Sequence, residues 1–284
     1  MIATRPLHCL FGAIVEGVDL TKRIDDKTFA QLRNALTEFS VLVFPGQNIN
    51  DAEQIAFIQR FGPLETTKIG TRGSGSPLVI LSNIGKDNRI VPFADRLNMV
   101  NRANMQWHAD SSFKRIPAQT SILSAREVPV TGGNTEFVSM RAVYAELPED
   151  LRQAAEDRVA IHDFAHSREK VDPDLMTDSE RATLPPVRQA MVLDQGHKLG
   201  RSLYIGSHVS HIEGMTKSES RKLIDRLLSF ATKEQFIYCH TWRLHDLVIW
   251  DNRSVIHRAQ PFVNHQERRR MVRTTVAGVT PTVK

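Results

Sequence analysis

The stretch NMQWHADSSF, Asn104 to Phe113, holds the side chains best suited to chemistry: His108 and Asp110, an imidazole and a carboxylate two positions apart. In an extended segment, residues i and i+2 point to one face, so the pair can present two donors to a single divalent ion. A second imidazole would give a set of two His and one carboxylate with coordination positions left open. That set suits Fe(II) oxygen chemistry. Zinc hydrolases use the same donor types, so the pair alone does not choose the metal. A His beside a solvated Asp would give the same letters, so the reading depends on finding the third ligand.

Eleven histidines are available. His162, His166 and His197 lie in polar, loop-like surroundings. His208 and His211, in GSHVSHIEG, can line a cavity but lack Cys or Glu partners at zinc spacing. His240 and His245 flank Trp242 at strand ends. His257 differs, because DLVIWDNRSVIH reads as a buried strand, a polar turn at Asp251-Asn252-Arg253 and a second strand. Such a hairpin offers the rigidity that a ligand needs. Beyond it, strand alternation places Arg269, Met271 and Arg273 on one face and Arg268 and Arg270 on the other. Guanidinium groups fork carboxylates, so two arginines on a ligand-bearing face suit a dicarboxylate or two separate anions. The plainer alternative for Arg273 is an internal ion pair with a carboxylate such as Asp251 or Glu267. The run lacks the interleaved aromatics of a nucleic-acid patch.

The elements that must position these residues follow from periodicity. Phe29, Leu32, Leu36 and Phe39 fall near helical spacing, and VLVFPG then reads as a strand and turn. NDAEQIAFIQRFG is a helix opening with Asn50 and Glu53 in capping-box positions and closing at Gly62. PLVILSN and TSILSAREV are short strands, and TGGNTEFVSM is a turn entering another. RAVYAELPEDLRQAAED is helical with an interruption at Pro148. TKSESRKLIDRLLSFAT is an amphipathic helix with Thr216 and Glu219 as a capping box. EQFIYCHTW, DLVIWDN, SVIHRAQPF and RRMVRTTVAG follow as strands. Residues 83–104 and 165–190 read as loop-like insertions of the kind that form lids or binding loops. The sum is a mainly β fold with decorating helices, a sandwich or jelly roll. A doubly wound α/β fold competes poorly, because strands and helices do not alternate and no GxGxxG or GxxxxGK[ST] loop occurs.

Over 284 residues, 41% hydrophobic and 24% charged side chains are ordinary for a globular chain with a sizeable core. A net charge of +5 fits a small anionic substrate and also weak nucleic-acid attraction, and on charge alone a basic protein with no special partner is favoured over nucleic-acid binding. Two cysteines, Cys9 and Cys239, with no CxxC pair argue against a disulfide scaffold or a thiolate zinc site. No signal peptide is read at the N-terminus, and no apolar run approaches a membrane span. A reducing, cytoplasmic setting with no membrane partner is the expectation, and a homo-oligomer stays open.

WHAD, GGNTEF, WDNRSVIHRA and RRMVRTT, in this order, resemble the Fe(II)/2-oxoglutarate-dependent dioxygenases of the taurine dioxygenase group. SVLVFPGQ, IAFIQRFGPLE, MRAVYAELP and YIGSHVSHIEGM are similar to its 2,4-dichlorophenoxyacetate (aryloxyalkanoate) branch. The likeness covers nearly the whole chain and implies a single domain over 1–284 with a double-stranded β-helix (jelly roll) core. It implies His108, Asp110 and His257 as the Fe(II) ligands. It implies Thr135 and Arg269 on the distal carboxylate of the co-substrate 2-oxoglutarate, and Arg273 near the substrate's anionic group. Asn104 and the backbone at Ser111 match substrate-pocket positions, and Thr67 and Lys68 fall where the family places a substrate-anion contact. Asn134 stands where the branch has Asp in its Gly-Gly-x-Thr motif, but that position is not a ligand. The implied reaction uses O2 and converts 2-oxoglutarate to succinate and CO2 while hydroxylating the substrate. In an aryloxyalkanoate the ether is thereby cleaved to a phenol and an oxo acid. An alkylsulfonate or taurine-like substrate is the alternative within the family. A zinc hydrolase or a non-enzymatic basic binding protein is the alternative outside it.

Overall fold

A seven-stranded sheet forms one wall of the protein, described here from a computed structural model that covers residues 2–66, 75–92, 94–197, 199–263 and 265–283. Its order is Ala3–Pro6, Ala13–Glu16, Val41–Phe44, Leu247–Asp251, Thr120–Glu127, Arg270–Val276 and Leu78–Ser82. The pairing is antiparallel except between Ala13–Glu16 and Val41–Phe44. The apolar runs VLVF and LVIW fall on inner strands whose residues are all buried. A three-stranded sheet, Ile237–His240, Thr135–Ser139 and Val255–Ala259, carries the second hairpin arm with His257. The content is mainly β with helices packed around it, as expected.

Alternation along Leu247–Asp251 shows how the layers are held. Leu247 and Ile249 pack with Leu32, Leu36 and Phe57 of the helices Asp26–Phe39 and Asp51–Ile58. Val248 and Trp250 point the other way, into a cluster with Phe137, Val255 and Met271. Period-two burial on both faces is what a strand between a helical layer and a second sheet requires. A third cluster joins the helix Lys217–Ala231 to Met140, Tyr204 and Ile256. The capping boxes at Asn50/Glu53 and Thr216/Glu219 both form, each satisfying otherwise orphaned N–H groups. Pro148 separates the helices Met140–Glu146 and Glu149–Ala155. Gly62 does not end an α-helix: the helix stops at Ile58, and Gly62 closes a short 3-10 turn over Gln59–Phe61.

The two insertions hold more order than expected. Residues 83–104 include the helix Arg96–Ala103, whose start is capped by Asp95 and whose buried side includes Asn98. Its few apolar residues gave the sequence no helical stripe. Residues 165–190 contain most of the helix Phe164–Glu169, the helix Asp178–Thr183 with its own Thr177/Glu180 capping box, and the strand Val187–Ala190. These elements are too short to show a period.

The buried central strand makes a stability prediction. Ile249→Ala should cost about 2–5 kcal/mol in urea unfolding, because both transfer and cavity terms apply. Val130→Ala, at a position 91% exposed, should stay within about 0.5 kcal/mol. Equal, small effects at both positions would contradict this packing.

Candidate metal centre and its cavity

His108 and His257 face each other across a two-way backbone pair. The His108 N–H donates to the His257 carbonyl at 3.0 Å, and the His257 N–H returns to His108 at 2.9 Å. Residues opposed in this way project to the same face. The chain then turns at Asp110, with Ser111 in the left-handed region at φ 53°, so QWHADSS is not the strand that its letters suggest. The outcome is nonetheless one cluster: ligand atoms of His108, Asp110 and His257 all lie within 4.8 Å of one another, and all three residues are buried. It is the one such group of three among the described residues.

Each member is prepared for a cation. The His108 Nδ1 sits 2.7 Å from the Gln106 carbonyl. A carbonyl only accepts, so Nδ1 carries the proton and Nε2 keeps its lone pair on the side facing Asp110, 3.8 Å away. Burial lowers the pKa of both imidazoles, that of His257 to about 3, which keeps them neutral. Burial alone would raise the Asp110 carboxyl. The charges of Arg273, His257 and His108 and the Ser121 hydroxyl outweigh it and hold the group at about 2. Ser121 donates to Asp110 Oδ2 at 2.7 Å and accepts from Asn252, whose amide oxygen takes bonds from the Asp110 N–H and the Trp250 indole. Trp250 and Asn252 thereby lock the carboxylate in place. Two imidazoles whose pKa burial lowers and one ionised carboxylate, with ligand atoms converging on one point, fit a divalent metal.

A cavity of about 60 Å³ opens beside the set, lined by both imidazoles, Asn104, Thr135, Arg269 and Arg273 among others. Arg269 is buried, its pKa pushed down to about 10 by burial, and its guanidinium donates to the Gly133 carbonyl at 3.2 Å. No carboxylate pairs with it among the described residues. Gly133, at φ 65°, lets it approach: a Cβ there would sit 3.2 Å from Arg269 Nε. Thr135 Oγ1 accepts from the Trp242 indole at 2.9 Å. Indole N–H is donor-only, so the threonine hydroxyl is left to donate. A buried guanidinium without a counter-ion and a hydroxyl with a proton to give fit the carboxylate end of a 2-oxo acid.

Other expected residues have mixed placements. Arg273 does form an internal ion pair, through Nη1 with Asp110 and not with Asp251 or Glu267, and its Nε is buried without a partner among the described residues. Asp251 pairs instead with Arg253, and Arg268 with Glu127. Asn104 accepts from the Ala259 N–H, which holds it beside the His257 strand. Ser111 is outside the cavity lining and donates its hydroxyl to Glu65 at 2.7 Å. Thr67 and Lys68 lie outside the described residues. His162 packs on Tyr204, and the His240 ring contacts Trp242 and Asp246. The sequence pointed to a cavity for His208 but gave no sign that it would meet His108 edge-on at 6.2 Å. Gly206 allows this approach, since a Cβ there would lie 3.2 Å from the His108 Cα. Ser121, Asn252 and Trp242 were also missed as positioning groups, because nothing in their spacing ties them to His108.

Comparison with known proteins places the whole chain in a family. Residues 3–275 match the family described as taurine catabolism dioxygenase TauD, TfdA family. The alpha-ketoglutarate-dependent 2,4-dichlorophenoxyacetate dioxygenase of Cupriavidus pinatubonensis is 39% identical over 266 residues, covering 92% of this chain and 93% of that protein. The (S)-phenoxypropionate/alpha-ketoglutarate-dioxygenase of Sphingobium herbicidovorans is 35% identical over 281 residues, covering 96% and 94%. The crystal structure of AAD-2 in complex with Mn(II) and N-oxalylglycine is 40% identical and superposes with a TM-score of 0.92 over 100% of this chain and 99% of that one.

The bonding around Asp110 predicts that Ser121→Ala will weaken metal binding roughly 10- to 100-fold, as loss of a group orienting a ligand does. Anaerobic calorimetry with Mn(II) measures it. An unchanged affinity would show that the hydroxyl does not orient the carboxylate.

Proposed function

The chain belongs to the TauD/TfdA family of α-ketoglutarate (2-oxoglutarate)-dependent dioxygenases, and on that premise we propose that it hydroxylates a small anionic aryloxyalkanoate and thereby cleaves its ether. The observation that carries the reading is the buried His108–Asp110–His257 cluster, whose two histidines line one cavity with Arg269, a guanidinium that lacks a carboxylate partner among the described residues. The substrate class is supported by the 2,4-dichlorophenoxyacetate and phenoxypropionate dioxygenases among the relatives. In this reading the two sheets make the jelly roll (double-stranded β-helix) of the family, in one domain over 1–284. A cytoplasmic setting belongs to it too, supported by Cys9 and Cys239, both free and exposed. No helix among the described residues is long and apolar enough to cross a membrane.

When bound, Fe(II) and 2-oxoglutarate supply the oxidising power: with O2 the co-substrate becomes succinate and CO2, and one oxygen atom passes to a substrate C–H. The protein's residues do the holding. His108 and His257 offer imidazole lone pairs and Asp110 its carboxylate to the metal. Thr135 and Arg269 hold the distal carboxylate of 2-oxoglutarate, and Trp242 fixes which way the Thr135 hydroxyl donates. Arg273 meets the anionic end of the primary substrate, whose body lies near Asn104. Apolar walls such as Leu81, Leu123 and Phe262 keep water from the reacting atoms. Hydroxylation of the carbon beside the ether oxygen gives a hemiacetal. Its hydroxyl proton passes to the departing aryl oxygen as the C–O bond breaks, leaving a phenol and an oxo acid.

Phenoxyacetate, Fe(II), 2-oxoglutarate and O2 should together yield phenol and succinate in about equal amounts, scored by chromatography. Full activity with Zn(II), or phenol release that persists without 2-oxoglutarate, would sink the proposal. Thr135→Ala and Arg269→Ala should each raise the KM for 2-oxoglutarate roughly tenfold or more, because a charge-assisted hydrogen bond contributes about 1.5–3 kcal/mol. A changed KM for the primary substrate alone would refute their assignment.

A further inference from the structure

A second cavity, of about 200 Å³, lies on the other flank of the segment that carries His108. Its walls share no residue with the cavity beside the metal set: Trp107 lines one and His108 the other. Adjacent side chains of an extended stretch point to opposite sides, so one short segment separates the two spaces. Another wall is a stripe of the helix Lys217–Ala231, on which Arg221, Ile224, Asp225 and Leu228 fall at helical spacing. Ile224 and Leu228, with Trp107 and Val209, give the space an apolar side. A dry cavity of about 150 Å³ is enough to hold a benzene ring.

Lys170 lines this cavity too, and its charge is unmatched. As a residue it is exposed, and a lysine so placed normally carries its ammonium to water. Here Nζ turns back and donates to the carbonyl of buried Ser207 at 3.0 Å. A carbonyl offers a dipole and no charge, and no carboxylate pairs with Lys170 among the described residues. Asp225, the carboxylate on the cavity wall, is already bound by Arg221 Nε at 2.9 Å. Arg258, which stands over the Trp107 ring at 4.5 Å, is matched by Glu136 at 2.6 Å. Burial of the ammonium and the charge of Arg221 lower the Lys170 pKa to about 8, with Asp225 pulling the other way. An ammonium has three N–H donors, so Lys170 keeps donors to spare at the edge of an apolar space.

We infer that this cavity is an effector site for a small carboxylate with an apolar body, its carboxylate on Lys170 and its body against Trp107. Such an occupant bears on a metal ligand. The Gln106 carbonyl holds His108 Nδ1 at 2.7 Å, and the Trp107 carbonyl accepts from the Ser207 N–H at 2.8 Å. A molecule lodged between Lys170 and Trp107 braces the segment that aims the imidazole, so the metal has less ordering left to impose. By linkage, the metal and the acid then tighten each other's binding. The inference rests on His108 as a metal ligand and is independent of the primary substrate.

Anaerobic calorimetry of Mn(II) binding, with and without millimolar benzoate, tests it. Benzoate should lower the wild-type Kd for Mn(II) at least about fivefold, and uncharged benzamide should leave it within about twofold. Lys170→Gln should bind Mn(II) alone as the wild type does, which also shows that the variant is folded, and should lose the benzoate shift. Arg221→Gln frees Asp225 to pair with Lys170, so it should cut the shift to less than about twofold as well. If Lys170→Gln fails to bind Mn(II) alone, Arg221→Gln decides in its place. A shift that survives in the variants overturns the inference, because benzoate would then act from the metal's own cavity. An equal shift with benzamide overturns it too, since the charge of Lys170 would play no part. A wild type that takes Mn(II) but shows no benzoate shift overturns the effector site alone. A wild type that takes no Mn(II) ends the metal reading, and the effector role with it.

Discussion

The pair of backbone hydrogen bonds between His108 and His257 is the constraint on which the site depends. It joins two segments 149 positions apart in number, one in an irregular stretch and one on a strand. Because opposed residues in an antiparallel pair share a face, one local bond pattern sets the direction of both imidazoles. The strand side is fixed by its own ladder, in which His257 lies opposite Phe137, and by Trp250, whose ring is 4.6 Å from His257. The irregular side is fixed by Gly206 behind His108 and by Asn252, which takes the Asp110 N–H. The rigid sheet is thereby extended, by one residue pair, into a loop that can carry a ligand.

Burial does the electrostatic work of the site in two opposite ways. It disfavours protonated imidazoles and so lowers the pKa of His108 and His257, that of His257 to about 3. It would also favour a protonated Asp110, and here Arg273 and Ser121 turn the balance. Arg273 therefore has two roles in the account: it keeps the carboxylate ionised, and it offers further N–H groups to an anion. Arg269 has no carboxylate partner among the described residues, and its guanidinium donates instead to the Gly133 carbonyl. The same dry environment that costs these arginines stability strengthens their hold on a carboxylate.

Much of this was legible in the sequence, and the reasons are specific. His257 stood out because LVIW and SVI are apolar runs around a polar turn, and such hairpins are rigid whatever their partners. Arg269 and Arg273 were placed together by alternation, and both line one cavity. The helix caps at Asn50 and Thr216 were legible because a capping box is purely local. Ser121 was not legible, since only tertiary contact relates it to Asp110. The helices within 83–104 and 165–190 were missed because each is six to eight residues long and has too few apolar positions to show a period. The expectation for Ser111 concerned its backbone; its hydroxyl bonds Glu65, a partner 46 positions away that no motif reveals.

The central claim is that these three side chains hold the metal and that Arg269 holds the far end of the co-substrate. Crystals grown anaerobically with Fe(II) and 2-oxoglutarate, with anomalous data collected at the iron edge, test it most directly. The account predicts one strong peak bonded to Nε2 of His108, an oxygen of Asp110 and Nε2 of His257, with the distal carboxylate on Arg269 and Thr135. A peak held by His208 or His211 instead, or a co-substrate whose distal carboxylate turns away from Arg269, would contradict it.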